Sequence, residues 1–185
     1  MRVVDSLGTD RYCLVGIVGV VPVVLGGVVV GSAFGWGYEG QTVTDLVDYC
    51  QRVKARVVVD VRLNAISRKK GFSKTALSSA LADEGIEYVH LRSLGNPKDN
   101  RPGFAHPGTA EARRAHERFR EEVLDSPKAR AQLEDAAVLV AQSNVVFLCY
   151  EHAPDCCHRH LIIERLSELT QNRTFRSLAA ASLLG

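Results

Sequence analysis

The chain has 185 residues, 46% hydrophobic and 24% charged, with a formal net charge of +2. These values are ordinary for one globular domain that buries its core without staples, with room for an N-terminal extension. So small a net charge gives no bulk electrostatic case for nucleic acid.

From Tyr12 to Tyr38 no side chain is charged, a length that suggests a membrane span. Gly16, Gly19, Pro22, Gly26 and Gly27 interrupt this Val-rich run, however, and Val28 to Phe34 is wanted as the first strand of the domain. The remainder, Tyr12 to Gly27, is short for a bilayer and lacks the basic start and cleavage site of a signal peptide. Three readings stay open for residues 1–27: a loosely packed extension or over-called start, an added strand or hairpin, and a membrane or export segment. We take this stretch as an apolar extension and expect no membrane partner.

The pattern then alternates. Val28 to Phe34, closed by Gly35-Trp36-Gly37, reads as a buried strand and its turn. Thr42 to Val53 carries Val43, Leu46, Val47 and Cys50 at helical spacing, with Thr42 or Thr44 as cap. Arg56 to Val61 is a β-branched strand ending in Asp60 and Arg62. Ser73 caps a helix through Ala82 that Gly85 ends, and Ile86 to Val89 is a short third strand. Ser93 to Pro107, rich in Gly, Pro and Asn, is loop. Thr109 to Leu124 and Pro127 to Gln142 read as two helices, Pro127 fitting a first helical turn. Val145 to Cys149 is the cleanest strand, and Cys157 to Thr170 the last helix, leaving residues 171–185 as a tail.

Strands separated by helices imply parallel pairing with right-handed crossovers, and continuous apolar runs fit strands covered on both faces. The expected domain, residues 28–170, is a three-layer αβα fold with a mainly parallel sheet of about four core strands. Strand order is not readable. Ligands in such sheets bind beyond the carboxyl ends of the strands, where Asp60, Arg62, Ser67, Arg68, Cys149 and Glu151 would converge.

The five cysteines are Cys13, Cys50, Cys149, Cys156 and Cys157, an odd count and a poor disulfide framework. Three of them share one short stretch, from Cys149 to His160, with His152, His158 and His160, which favours thiol or metal chemistry in a reducing, cytoplasmic compartment. A thiol leaving a strand toward a helix N-terminus is stabilised as thiolate, and Arg159 adds positive charge. Cys149 or Cys157 is then the candidate reactive thiol, with Glu151 or His158 as acid or base. Glu151 serves as a general acid or base if burial raises its pKa, or else ties down Arg159 or Arg62. The same residues also offer more than enough ligands for a metal, although their spacing matches no standard zinc ribbon. In the third reading they are simply buried or capping residues. Asp60-Val61-Arg62 and the loop Ser67-Arg68-Lys69-Lys70-Gly71 are either an anion clamp or an ion pair beside a solvated basic loop. Asn96 and Lys98, with Asp99, Asn100 and Arg101, could cover the same edge. His106 and His116 read as surface residues.

The string Val59-Asp60-Val61-Arg62-Leu63-Asn64-Ala65-Ile66-Ser67-Arg68-Lys69-Lys70-Gly71-Phe72-Ser73-Lys74 resembles the signature of the domain-of-unknown-function 488 family. So do Gly85-Ile86-Glu87-Tyr88, Leu94-Gly95-Asn96-Pro97, Cys149-Tyr150-Glu151 and Cys157-His158-Arg159, in the same order, over about Val29 to Leu169. The resemblance implies a compact α/β domain with polar positions at Asp60, Arg62, Ser67, Arg68, Cys149, Glu151, Cys157, His158 and Arg159. It assigns no reaction and no cofactor. Where the family commonly has proline before its Ser-Arg pair, this chain has Ala65 followed by Ile66. The leading expectation is an enzyme-like pocket in which Arg62, Arg68 and Arg159 hold an anionic small molecule, nucleotide or nucleic-acid phosphate beside a reactive cysteine. The alternatives are a non-catalytic nucleic-acid module and a metal-binding protein.

Overall fold

A computed structural model describes residues 18–25 and 28–182, with side chains described for residues 31–170. Its strands are β1 (Val18–Leu25), β2 (Val28–Gly37), β3 (Ala55–Asp60), β4 (Glu87–His90) and β5 (Asn144–Cys149). They form one sheet in the order β1-β2-β5-β3-β4. The last four are mutually parallel, as expected, and β1 adds to the edge antiparallel to β2. Part of the stretch read as an extension is therefore a strand. The rest, residues 1–17 and 26–27, lies outside the described residues. Among the described residues no helix is long and apolar enough to cross a membrane.

The helices are α1 (Val43–Arg52), α2 (Lys74–Asp83), α3 (Ala110–Arg118), α4 (Pro127–Gln142) and α5 (Arg159–Ser182). Their starts follow from the sequence. Thr42 accepts from the Asp45 amide while Asp45 accepts from the Thr42 amide, a reciprocal capping box. Thr109 and Ser126 cap α3 and α4, and Pro127 opens α4 where its missing N–H costs nothing. Ser73 occupies the cap position of α2 without making the side-chain bond. Gly85, just after α2, takes φ +68, which a side chain would strain. The helix expected from Thr109 to Leu124 is not uniform, because α3 widens after Arg118 into a π-helical turn, Phe119–Leu124. The backbone of α5 continues to Ser182, through most of the segment read as a tail.

Alternate residues of each strand face opposite cores. Val145, Phe147 and Cys149 pack with α3, α4 and α5, around Phe119, Leu133, Leu161 and Ile162. Val146 and Leu148 pack with α1 and α2, around Leu46, Phe72, Leu77 and Leu81. These are the two outer layers of the αβα sandwich. The chain leaves β2 and β3 for α1 and α2 on one face, but leaves β5 for α5 on the other. Since β5 lies between β2 and β3, the loops leaving their carboxyl ends part in opposite directions, which opens a crevice above β5.

Candidate functional site

A cavity of about 190 Å³ occupies that crevice, lined by Tyr38, Arg62, Leu63, Asn64, Ile66, Arg101, Cys149, Tyr150, Glu151 and His158. Its residues come from the ends of β2, β3 and β5 and from the long loop before α3. A larger hollow of about 490 Å³ over α1 is lined by Trp36, Gln41, Asp45, Asp48, Gln51 and Arg52, with no thiol or imidazole among them.

Two ionisable groups of residues meet at the cavity. On the α1/α2 side, Asp60 is fully buried at the end of β3 and forms an ion pair with Arg62 at 2.5 Å. Arg62 Nε donates to both Asp60 oxygens at 2.9 and 3.1 Å, and Nη1 donates to Tyr38 Oη and the Phe72 carbonyl. Tyr88 Oη donates to Asp60 Oδ2 at 2.6 Å. Burial disfavours the Arg62 charge, but Asp60 more than offsets this and holds it firmly protonated. Burial and the neighbouring carboxylate together push the Tyr88 hydroxyl up. Tyr38 stacks on Phe72 at 4.4 Å and on the edge of Tyr150 at 5.2 Å, fixing this wall.

On the other side stand Cys149, Glu151, Cys157 and His158. The Cys149 thiol donates to Glu151 Oε2 at 3.1 Å. His158 Nδ1 lies 3.8 Å from the sulfurs of both Cys149 and Cys157, and its Nε2 is 3.1 Å from the Val61 carbonyl. A carbonyl only accepts, so Nε2 carries a proton, and Nδ1 faces the two sulfurs, whose neighbourhood with Glu151 favours the charged ring. One donor atom from each of the four residues falls within 4.8 Å of the others, a set of sulfur, nitrogen and oxygen suited to a metal ion. Burial pushes the Cys157 thiol well up. Burial also works to raise Glu151, but hydrogen bonding from Cys157 and Cys149 and the His158 charge outweigh it and hold the carboxyl below its ordinary value. The raised pKa on which an acid or base role for Glu151 was conditional is therefore not found; the carboxylate accepts hydrogen bonds from the thiols instead.

The backbone beneath is tightly built. Tyr38 N–H donates to the Cys149 carbonyl and Glu39 N–H to that of Tyr150, prolonging the β2–β5 pairing past the sheet. A Cβ on Gly37 would run into the Glu151 carbonyl, so only glycine lets the two strand ends approach this closely. Arg159, 2% exposed, donates to the carbonyls of Glu151 and His152. It buttresses the loop that carries Glu151 and does not line the cavity.

The other residues named from the sequence are dispersed. Ser67 accepts from the Lys69 amide, and Arg68 points to solvent. Lys69 Nζ bonds the Tyr38 carbonyl. Asn96 is buried as a loop anchor, accepting from Asn100 Nδ2, and Lys98 is exposed. None of Ser67, Arg68, Asn96 and Lys98 lines the cavity. Arg101 does; its Nε is tied to the Asn96 carbonyl, and it forms no ion pair with a carboxylate among the described residues. His116, expected on the surface, is half-buried between Phe104 and His160. Tyr38 and Tyr88 were not singled out, since aromatic residues in or beside strands read as core. Tyr38, just past the carboxyl end of β2, carried a positional signal, whereas Tyr88 lies inside the short β4 and carried none.

Residues 42–166 match a family model described as domain of unknown function DUF488. The chain belongs to the DUF488 family. The matched span takes in every residue of both clusters except Tyr38, which precedes it. No curated protein and no solved structure matches the chain.

Proposed function

We propose that this DUF488 protein is an enzyme whose cavity takes a small phosphate-bearing anion against Arg101, with the Cys149 thiol and Glu151 carboxylate as the reacting centre beneath it. The observation that supports this most is one cavity holding both Arg101, a guanidinium without a carboxylate partner among the described residues, and the Cys149–Glu151 hydrogen bond at 3.1 Å. Arg62 lines the same wall, but its charge is neutralised by Asp60, so Arg101 supplies the attraction. Four cysteines, Cys50, Cys149, Cys156 and Cys157, are unbridged, which suits a reducing cytoplasmic setting.

The test is titration of the full chain with inorganic phosphate by calorimetry. A charge-assisted hydrogen bond contributes about 1.5–3 kcal/mol, so Arg101→Gln should weaken binding roughly ten- to hundredfold. The double variant Arg68→Gln/Lys70→Gln, on the exposed basic loop, should leave the dissociation constant within about twofold. No binding, or binding lost with the loop charges and kept without Arg101, overturns the reading and favours a basic nucleic-acid surface.

A further inference from the structure

We infer that Cys149, Glu151, Cys157 and His158 together bind one divalent cation of the zinc class. The inference rests on the reading above for where the reacting centre lies, and it makes Cys149 and Glu151 metal ligands there.

The geometry carries it. Zinc sits about 2.3 Å from sulfur and about 2.0–2.1 Å from imidazole nitrogen, so a tetrahedral site has sulfur-to-nitrogen edges of about 3.5 Å. The two observed edges, from His158 Nδ1 to each sulfur, are both 3.8 Å. The edge from Cys149 Sγ to Glu151 Oε2 is 3.1 Å, and all four donor atoms lie within 4.8 Å of one another. These three edges lie within about half an ångström of tetrahedral values, and no other exceeds 4.8 Å. His158 has the outer partner that a metal-bound imidazole ordinarily has, because its far nitrogen donates to a backbone carbonyl, that of Val61, at 3.1 Å. Arg159 fixes the Glu151 carbonyl, and so the reach of its carboxylate. Two sulfurs exclude magnesium and calcium, which take oxygen shells, and favour zinc or a similar borderline-soft ion.

The arrangement also has an outer and an inner side. Cys149, Glu151 and His158 line the cavity, whereas Cys157 lies behind them, 1% exposed. An ion held there lies beside the space that Arg101 overlooks; its four positions are filled by the chain, so the anion would sit next to the ion and not on it. On loading, both S–H bonds break, the sulfurs keep the electron pairs as they coordinate the cation, and these two protons, with the one on His158 Nδ1 where the ring is charged, leave to solvent.

Cobalt(II) titration of the full, reduced chain tests the site directly. The expected result is one cobalt per chain with a thiolate-to-metal charge-transfer band and tetrahedral ligand-field bands. Cys149→Ser and Cys157→Ser should each diminish that band and weaken cobalt binding more than tenfold, with circular dichroism checking that the fold persists. If either fails to fold, Glu151→Gln, at a half-buried position, should still weaken cobalt binding while keeping the thiolate band. A folded, reduced chain that takes up no cobalt overturns the inference, as does uptake unchanged in the Cys149→Ser/Cys157→Ser double variant. Cobalt uptake with no phosphate affinity would uphold the metal site and sink the anion pocket alone.

Discussion

The two polar clusters at the carboxyl edge of the sheet differ in how completely their hydrogen-bonding groups are answered. In the Asp60 cluster every charge meets its opposite. Asp60 receives Arg62 and Tyr88, and Arg62 also reaches Tyr38 and the Phe72 carbonyl. In the Cys149 cluster two thiols, an imidazole nitrogen and a carboxylate turn toward one another within 4.8 Å. The first arrangement rigidifies a wall of the cavity, and the second concentrates metal-ligating atoms beside it.

Substitution separates the two most sharply. Asp60→Ala leaves the buried Arg62 charge unpaired and should cost about 3–5 kcal/mol of unfolding free energy by urea denaturation. Cys149→Ser on the metal-free chain should cost about 1 kcal/mol, since it keeps a small donor beside Glu151. Equal costs would erase the distinction between a closed and an open cluster.

Cys50 extends the comparison to a thiol with no role at the edge. It is fully buried on α1, where burial alone pushes it from 9.0 up to about 12. The folded chain keeps a proton that the unfolded chain releases above pH 9, so this contribution to stability is intact below pH 9 and is lost as pH rises toward 12. The loss is on the order of 1.4 kcal/mol per pH unit, and Cys50→Ala should remove it. Tyr49, also pushed up to about 12 by burial, adds a second slope above pH 10 that this variant retains. A wild-type chain equally stable at pH 8 and pH 11 would contradict the assignment.

The smallest effect belongs to the exposed basic loop. Arg68→Gln should change unfolding free energy by less than about 0.5 kcal/mol, because the side chain points to solvent. A larger loss would mean that the loop, and not Arg101, is the structured part of the anion site.

β3 and β5 were legible as β-branched runs, and α1 and α4 as apolar stripes behind the caps Thr42 and Ser126. The order of the strands was not, because nothing local in Val145 to Cys149 says that β5 inserts between β2 and β3. For the same reason the sequence grouped Arg62, Arg68 and Arg159 as one clamp. Arg62 and Arg159 are instead engaged inside the fold, by a carboxylate and by two backbone carbonyls, while Arg101 overlooks the cavity. Distinguishing an engaged guanidinium from a free one requires distances between segments far apart in the chain. That Cys149, Glu151, Cys157 and His158 come together in space was legible, because the turn after β5 keeps them close in sequence.

If a metal ion completes the Cys149 cluster, elemental analysis of the full chain, purified without chelator, will find it. The expected result is close to one zinc-class ion per chain in the wild type and less than about a tenth of that in Cys149→Ser/Cys157→Ser. A folded wild-type chain that carries no such ion, and acquires none after dialysis against zinc, would contradict it.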